Sequence, residues 1–312
     1  MFPETKNIPL QKIEDTFLKE KEINLYVLRL DLVHPHISGN KWFKLKYNLE
    51  EAQKQGKNTL VTFGGAYSNH IIATAAAGNE FGFKTVGIIR GEELEASPLA
   101  PLRGRGEQSA VNPVLQFAES CGMELKFISR EEYKKLRGNE PNYLITQLPN
   151  TYFLPEGGTN ELAVKGCSEI VSLIDIPFDY ICCAVGTGGT IAGIISSLKA
   201  SQKAIGFSVL KGGEFLKTEI EKLVTSSVVE KQQFELNTNY HFGGYAKQTA
   251  ELLSFISDFK SHHNLQLDFV YTGKMMFGIF DLIKKNYFEK GATVVAIHTG
   301  GLFQFANHQP SH

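Results

Sequence analysis

The chain has 312 residues, 42% of them hydrophobic and 21% charged, with a formal net charge of -1. That length suits two domains or one large α/β unit, and the charge gives no electrostatic case for nucleic acid or an anionic membrane as partner. No apolar run approaches the roughly eighteen residues of a membrane span. The first residues lack a signal-peptide pattern, and Cys121, Cys167, Cys182 and Cys183 have neither metal-site nor disulfide-framework spacing, so reduced thiols and a cytoplasmic setting are expected.

In chain order, Trp42–Gln55 has a helical pattern, Thr59–Phe63 reads as a strand, His70–Phe81 as a helix and Lys84–Ile89 as a strand. Gly91–Pro113 follows, rich in Gly, Pro and charge, as a long surface loop of the kind that serves as a lid. Strands are expected at Glu124–Ile128, Thr151–Leu154, Asp179–Ala184, Ala204–Val209, Leu267–Val270 and Thr293–Ile297. Helices are expected at Glu161–Leu173, Thr190–Lys199, Ala246–Phe259 and Lys274–Tyr287. Strands alternating with helices imply crossover units and largely parallel sheets. Runs such as Tyr180-Ile181-Cys182-Cys183-Ala184-Val185 suit strands buried on both faces. No Pro- or Gly-rich linker cuts the chain.

Three turns that open helices carry chemistry. Gly186-Thr187-Gly188-Gly189-Thr190 lets backbone N–H groups converge at a helix start and forms a cup for one anionic group. Ile191 stands where a dinucleotide fingerprint needs glycine, and no Lys-Ser/Thr pair follows as a Walker loop requires. A turn needed only for strand–helix packing remains the alternative. Lys41 opens a helix after a Gly39-Asn40 turn among bulky aromatics, where partial desolvation favours the free amine; a solvated helix lysine is the plainer alternative. Ser68 and Asn69 fall at a helix start, where they cap, and with His70 they could also hold a carboxylate. Tyr245 and Tyr271 sit at glycine-containing turns, and Thr299 lies just beyond an expected strand. The pairs His34/His36 and His262/His263 lack a third metal ligand at useful spacing, so no metal is expected.

Together these segments resemble the 1-aminocyclopropane-1-carboxylate (ACC) deaminase and D-cysteine desulfhydrase family of pyridoxal-phosphate (PLP) enzymes, in the tryptophan-synthase-β-like class, fold type II. The resemblance runs in order from Gly39 to Gly301, through Gly39-Asn40-Lys41-x-x-Lys44-Leu45, Ser68-Asn69, Pro155-Glu156-Gly157-Gly158, Val270-Tyr271-Thr272-Gly273-Lys274 and His298-Thr299-Gly300-Gly301. It implies two open, mostly parallel sheets flanked by helices. Residues 1–45 with 161–312 would form a larger PLP-binding domain, residues 46–160 a smaller inserted one, and the active site would lie in the cleft between them. It implies a homodimer acting on a small amino acid.

Position by position, the resemblance makes Lys41 the lysine that holds PLP covalently and then moves protons. Gly186, Thr187, Gly188, Gly189 and Thr190 become the phosphate cup, with Lys44 as helper. Asn69 matches the partner of the cofactor's phenolic oxygen, Thr299 the neighbour of its ring nitrogen, and Tyr245 and Tyr271 the tyrosines facing substrate. Ser68, Asn69, His70, Gly158 and Thr159 match the substrate-binding positions, and Ser68 is also expected to act in catalysis. His70 departs from the family's glutamine. ACC deaminases carry glutamate and leucine where Thr272 and Thr299 stand. A ring nitrogen without an acidic neighbour is a weaker electron sink, sufficient when the β-carbon carries a good leaving group. The expected reaction is therefore β-elimination from D-cysteine to pyruvate, ammonia and sulfide. ACC ring opening is the alternative, and a non-catalytic PLP-binding protein is a third.

Overall fold

The computed structural model describes residues 5, 7–91, 112–138, 150–224 and 233–302, without the side chains of 137 and 138. The chain starts with β1 (Leu10–Lys12), α1 (Thr16–Glu20), β2 (Asn24–Leu28) and α2 (Asn40–Lys54). It continues through β3 (Thr59–Gly64), α3 (Asn69–Phe81), β4 (Lys84–Arg90), α4 (Pro113–Ser120), β5 (Met123–Ile128), α5 (Arg130–Gly138) and β6 (Thr151–Leu154). Then come α6 (Glu161–Ser168), β7 (Tyr180–Val185), α7 (Gly189–Ile195), β8 (Lys203–Ser208), α8 (Leu216–Leu223) and β9 (Phe234–Asn237). The last elements are α9 (Ala250–His263), α10 (Thr272–Lys284) and β10 (Thr293–Ile297). Two compact units result, one built on Leu45–Thr159 and the other on Pro3–Lys44 with Asn160–Leu302.

The first unit holds a four-stranded parallel sheet in the order β5-β4-β3-β6. Its strands alternate between two apolar clusters. Ile89 and Met123 face Ile71 and Ala75 of α3 and Leu115 and Ala118 of α4. Val61, Phe63, Val86 and Ile88 face Tyr133 of α5 on the other side. Helix α3 is delimited by local chemistry, since Ser68 accepts from the His70 N–H and Gly82 ends it in the left-handed region at φ 77°. Asn112 accepts from the N–H groups of Val114 and Leu115, and Pro113 opens α4. The lid expectation for Gly91–Pro113 falls mainly on residues outside those described.

The second unit holds a six-stranded sheet, β1-β2-β10-β7-β8-β9, parallel except for β1 against β2. Ile181, Cys182, Cys183, Ala184 and Val185 of β7 are all buried, as a strand covered on both faces requires. Parallel pairing of β2, β10 and β7 brings their C-terminal ends to one end of the sheet. The chain leaves β7 into the Gly186 turn and β10 into His298-Thr299 there, at the carboxyl ends where open α/β sheets bind ligands.

Four expected elements differ, one of them the helix expected over Glu161–Leu173, which is α-helical to Ser168 and a 3-10 helix from Glu169. Leu267–Val270 is a loop and turn, because the Asp268 carboxylate accepts from the N–H groups of Val270, Tyr271 and Thr272 and so takes donors a strand ladder would use. The helix expected from Ala246 starts at Ala250, since Ala246 has φ 54° and Thr249 is the cap. The helix expected over Thr190–Lys199 ends at Ile195 and gives way to turns.

Candidate active site

Lys41 lies in the first turn of α2, half-buried. Gly39 before it has φ 64°, and a Cβ there would lie 1.9 Å from the Thr299 carbonyl oxygen, so the turn admits only glycine. The Asn40 N–H donates to that same carbonyl, at 3.4 Å. The Asn40 side chain donates to Thr190 Oγ1 at 2.7 Å and accepts from Lys41 Nζ at 3.3 Å. One turn on, buried Lys44 donates from Nζ to Thr187 Oγ1 at 3.3 Å. Lys41, Lys44, the glycine turn and the Thr299 strand end thus form one cluster.

Burial, and then the Lys44 charge, hold the Lys41 amine down at about 7. Burial also lowers Lys44. Two thiols border the pair, and burial pushes Cys167 up to about 11 and Cys183 up to about 12, so both are neutral near pH 7. Gly188, at φ 83°, precedes α7, and no side chain caps that helix. Its first N–H groups therefore face the turn without a side-chain cap.

Tyr271 lies against this turn, since a Cβ on Gly186 would sit 3.2 Å from its Cε1. Tyr245 meets Tyr271 edge-on, ring centroids 6.0 Å apart, and is 42% exposed. Thr272, just after Tyr271, is fully buried and donates its hydroxyl to Asp268 at 2.5 Å. Sequence reasoning passed over Asp268, although an Asp four residues before a Thr at a helix start is a capping signal. Lys274 is buried and donates to the carbonyls of His241 at 2.8 Å and Gly244 at 2.7 Å. Burial lowers it to about 8, against the pull of Asp268.

In the first unit, Ser68, Asn69 and His70 start α3 at the C-terminal end of β3. The buried Thr62 hydroxyl donates to the Leu154 carbonyl at 3.1 Å, so His70 Nε2–H donates to Thr62 at 2.8 Å. That assignment leaves Nδ1 as the acceptor of the ring. Gly158 packs on His70, since a Cβ there would lie 2.8 Å from its Cε1, and half-buried Thr159 follows. His70, 2% exposed, is thus a buried joint between the ends of β3 and β6, with one ring nitrogen held inside the unit. Asn69 Oδ1 is buried without a hydrogen-bond partner, an acceptor whose desolvation a bound donor would relieve.

These groups fit PLP. The uncapped helix start, the hydroxyls of Thr187 and Thr190 and the Lys44 amine match a phosphate, while the depressed Lys41 amine matches a carbonyl partner. Asn40, which links Lys41 to the turn, is a site residue that sequence reasoning used only as part of a motif.

Comparison with known proteins agrees. Residues 2–300 match the family described as pyridoxal-phosphate dependent enzyme. A Pyrococcus horikoshii protein named as a candidate ACC deaminase is 30% identical, covering 96% of this chain and 92% of its own. The mitochondrial bifunctional D-cysteine desulfhydrase/ACC deaminase of Arabidopsis thaliana is 33% identical over 89% of this chain and 72% of its own. The crystal structure of an ACC deaminase homologue superimposes with a TM-score of 0.79 at 26% identity, covering 96% of this chain and 92% of that one. The chain is a fold-type II PLP enzyme, a lyase or deaminase of the ACC deaminase and D-cysteine desulfhydrase family.

Proposed function

We propose that the chain deaminates a small amino acid by breaking a bond at its β-carbon, with ACC ring opening to 2-oxobutanoate and ammonia as the first-ranked reaction. The observation that carries the reading is Lys41, an amine held near neutrality beside a one-phosphate cup. PLP, when bound, supplies the electron sink for a carbanion at the α-carbon. Lys41 would hold the cofactor and give way to the substrate amine. ACC has no hydrogen on its α-carbon, so with ACC the freed amine would move a proton at a ring CH2, whereas with D-cysteine it would take the α-proton. Lys44, Thr187, Thr190 and the amides of Gly186–Gly189 would hold the phosphate, and Asn69 the phenolic side of the ring. Ser68 and the half-buried Thr159 would bind the substrate carboxylate, with His70 and Gly158 fixing the two loops that carry them. Tyr245 and Tyr271 would face the substrate, and Thr299 the ring nitrogen.

The names of the relatives favour ACC. The second reading is β-elimination from D-cysteine, favoured by the hydroxyl residues Thr272 and Thr299 and by the bifunctional relative. The test is the ratio of kcat/KM for ACC and D-cysteine, with 2-oxobutanoate and pyruvate as readouts. A clear preference for ACC sustains the first reading and a clear preference for D-cysteine replaces it with the second. Turnover of neither removes both. Thr299→Leu is the informative variant, because a glutamate at position 272 would be forced against Asp268.

A further inference from the structure

Lys274 belongs to none of the roles above, yet among the described residues it is one of the most buried cations, 1% exposed. A buried ammonium must have close acceptors to persist, and here they are two backbone carbonyls of one loop, His241 at 2.8 Å and Gly244 at 2.7 Å. That loop is conformationally costly. Phe242 has φ 49° and Ala246 φ 54°, a left-handed region that non-glycine residues leave unless surrounding contacts hold them there. Phe242 adds an apolar anchor by meeting Phe277 of α10 edge-on, centroids 4.9 Å apart. Tyr245 follows Gly244 directly, while Tyr271 precedes the helix that carries Lys274.

We propose that Lys274 is a positioning residue, an ammonium latch that fixes the 241–246 loop to the start of α10 and thereby sets Tyr245 edge-on to Tyr271. The proposal rests on the assignment of those two tyrosines to the substrate. The latch acts through backbone carbonyls, so it serves the tyrosine pair without touching the substrate itself. Lys274→Met removes both hydrogen bonds at nearly constant volume, whereas Lys274→Arg keeps a charged donor.

The experiment uses the PLP-loaded protein and combines three readouts. Amide hydrogen exchange over 241–247 should accelerate at least about tenfold in Lys274→Met and stay near wild type in Lys274→Arg. D-alanine lacks a leaving group, and its binding, followed by the shift in the visible band of the bound cofactor, should weaken about tenfold in Lys274→Met. The double variant Lys274→Met/Tyr245→Phe should bind no worse than the weaker single variant, because both changes remove the same positioned phenol. Unchanged exchange overturns the latch. Fully additive losses in the double variant overturn the link to Tyr245 and leave a general structural role. Should Lys274→Met not fold, Lys274→Gln is put through the same cycle, with a smaller change of the same pattern expected. Wild-type turnover of neither ACC nor D-cysteine would remove the proposed function, while exchange and D-alanine binding still decide the latch.

Discussion

Two junctions of the same kind, strand then turn then helix start, are finished differently. At β3–α3 the side chains close the structure themselves. Ser68 caps the helix, His70 bonds Thr62, and Asn69 Oδ1 is buried without a hydrogen-bond partner. At β7–α7 no side chain caps the helix, and the threonines of the turn are engaged by Lys44 and Asn40 from a different part of the chain. The first junction is nearly complete without a ligand. The second gathers its donors and cations from Asn40 and Lys44. The difference separates a junction completed mainly by its own side chains from one completed by a distant part of the chain.

The largest effect that can break this contrast is expected at the cationic side. Lys41→Ala should lower turnover by roughly 10³-fold, the scale of a positioned general base, while the cup still binds PLP. Borohydride reduction should fix the cofactor to the Lys41 peptide in the wild type and to no lysine in the variant. A free amine is the reactive form, so capture of PLP by the apoprotein should rise with pH through about 7 and then level off. Lys44→Met removes the like charge that depresses Lys41 and should move that limb to higher pH. An unmoved limb would deny that the two lysines are electrostatically coupled.

At the cup itself, Gly188→Ala places a side chain at φ 83°, 2.7 Å from Ile220 Cγ1. The left-handed conformation alone costs about 1–2 kcal/mol. A roughly tenfold loss of PLP affinity, measured by titration of the apoprotein, is expected from a turn displaced by that amount. The corresponding junction of the first unit should respond in the opposite sense in the absence of cofactor. Asn69→Ala removes a buried acceptor that has no partner, so the apoprotein should be as stable as wild type or more stable by about 1 kcal/mol. The PLP-loaded variant should lose that advantage and show a displaced visible band. A destabilised apoprotein would mean that Asn69 serves the fold.

The contrast also explains what was legible in the sequence. The strands from Thr59, Lys84, Tyr180 and Thr293 are runs of β-branched and apolar residues, whose burial on both faces leaves a continuous signal. The edge strands β1 and β9 and the five-residue β2 lacked it, since Leu10–Lys12, Asn24–Leu28 and Phe234–Asn237 mix polar and apolar residues over short spans. Glycine turns stood out because they are compositional. The partners that complete them did not. Asp268 took a strand apart through three backbone N–H bonds, Asn40 reaches Thr190 across 150 positions, and Lys274 finds its carbonyls 33 and 30 residues back. Side chains that act on distant backbone carry no local pattern.

The smallest effect expected tests whether Ser68 is more than a cap. Its hydroxyl oxygen accepts from the His70 N–H at 3.3 Å, long for a strong bond. Loss of an N-cap costs about 0.5–2 kcal/mol, and the long distance puts Ser68→Ala toward the lower figure, a shift of a few degrees in Tm. Ser68→Asn keeps a capping oxygen and should restore the stability. If capping is the whole role, kcat/KM in Ser68→Asn returns to wild type together with Tm. If Ser68 also meets the substrate, the larger amide cannot replace a hydroxyl in a confined site, so Tm recovers and kcat/KM does not. The two readouts move together in the first case and separate in the second. Separation would show that this junction presents the Ser68 hydroxyl to the substrate as well as capping α3 with it.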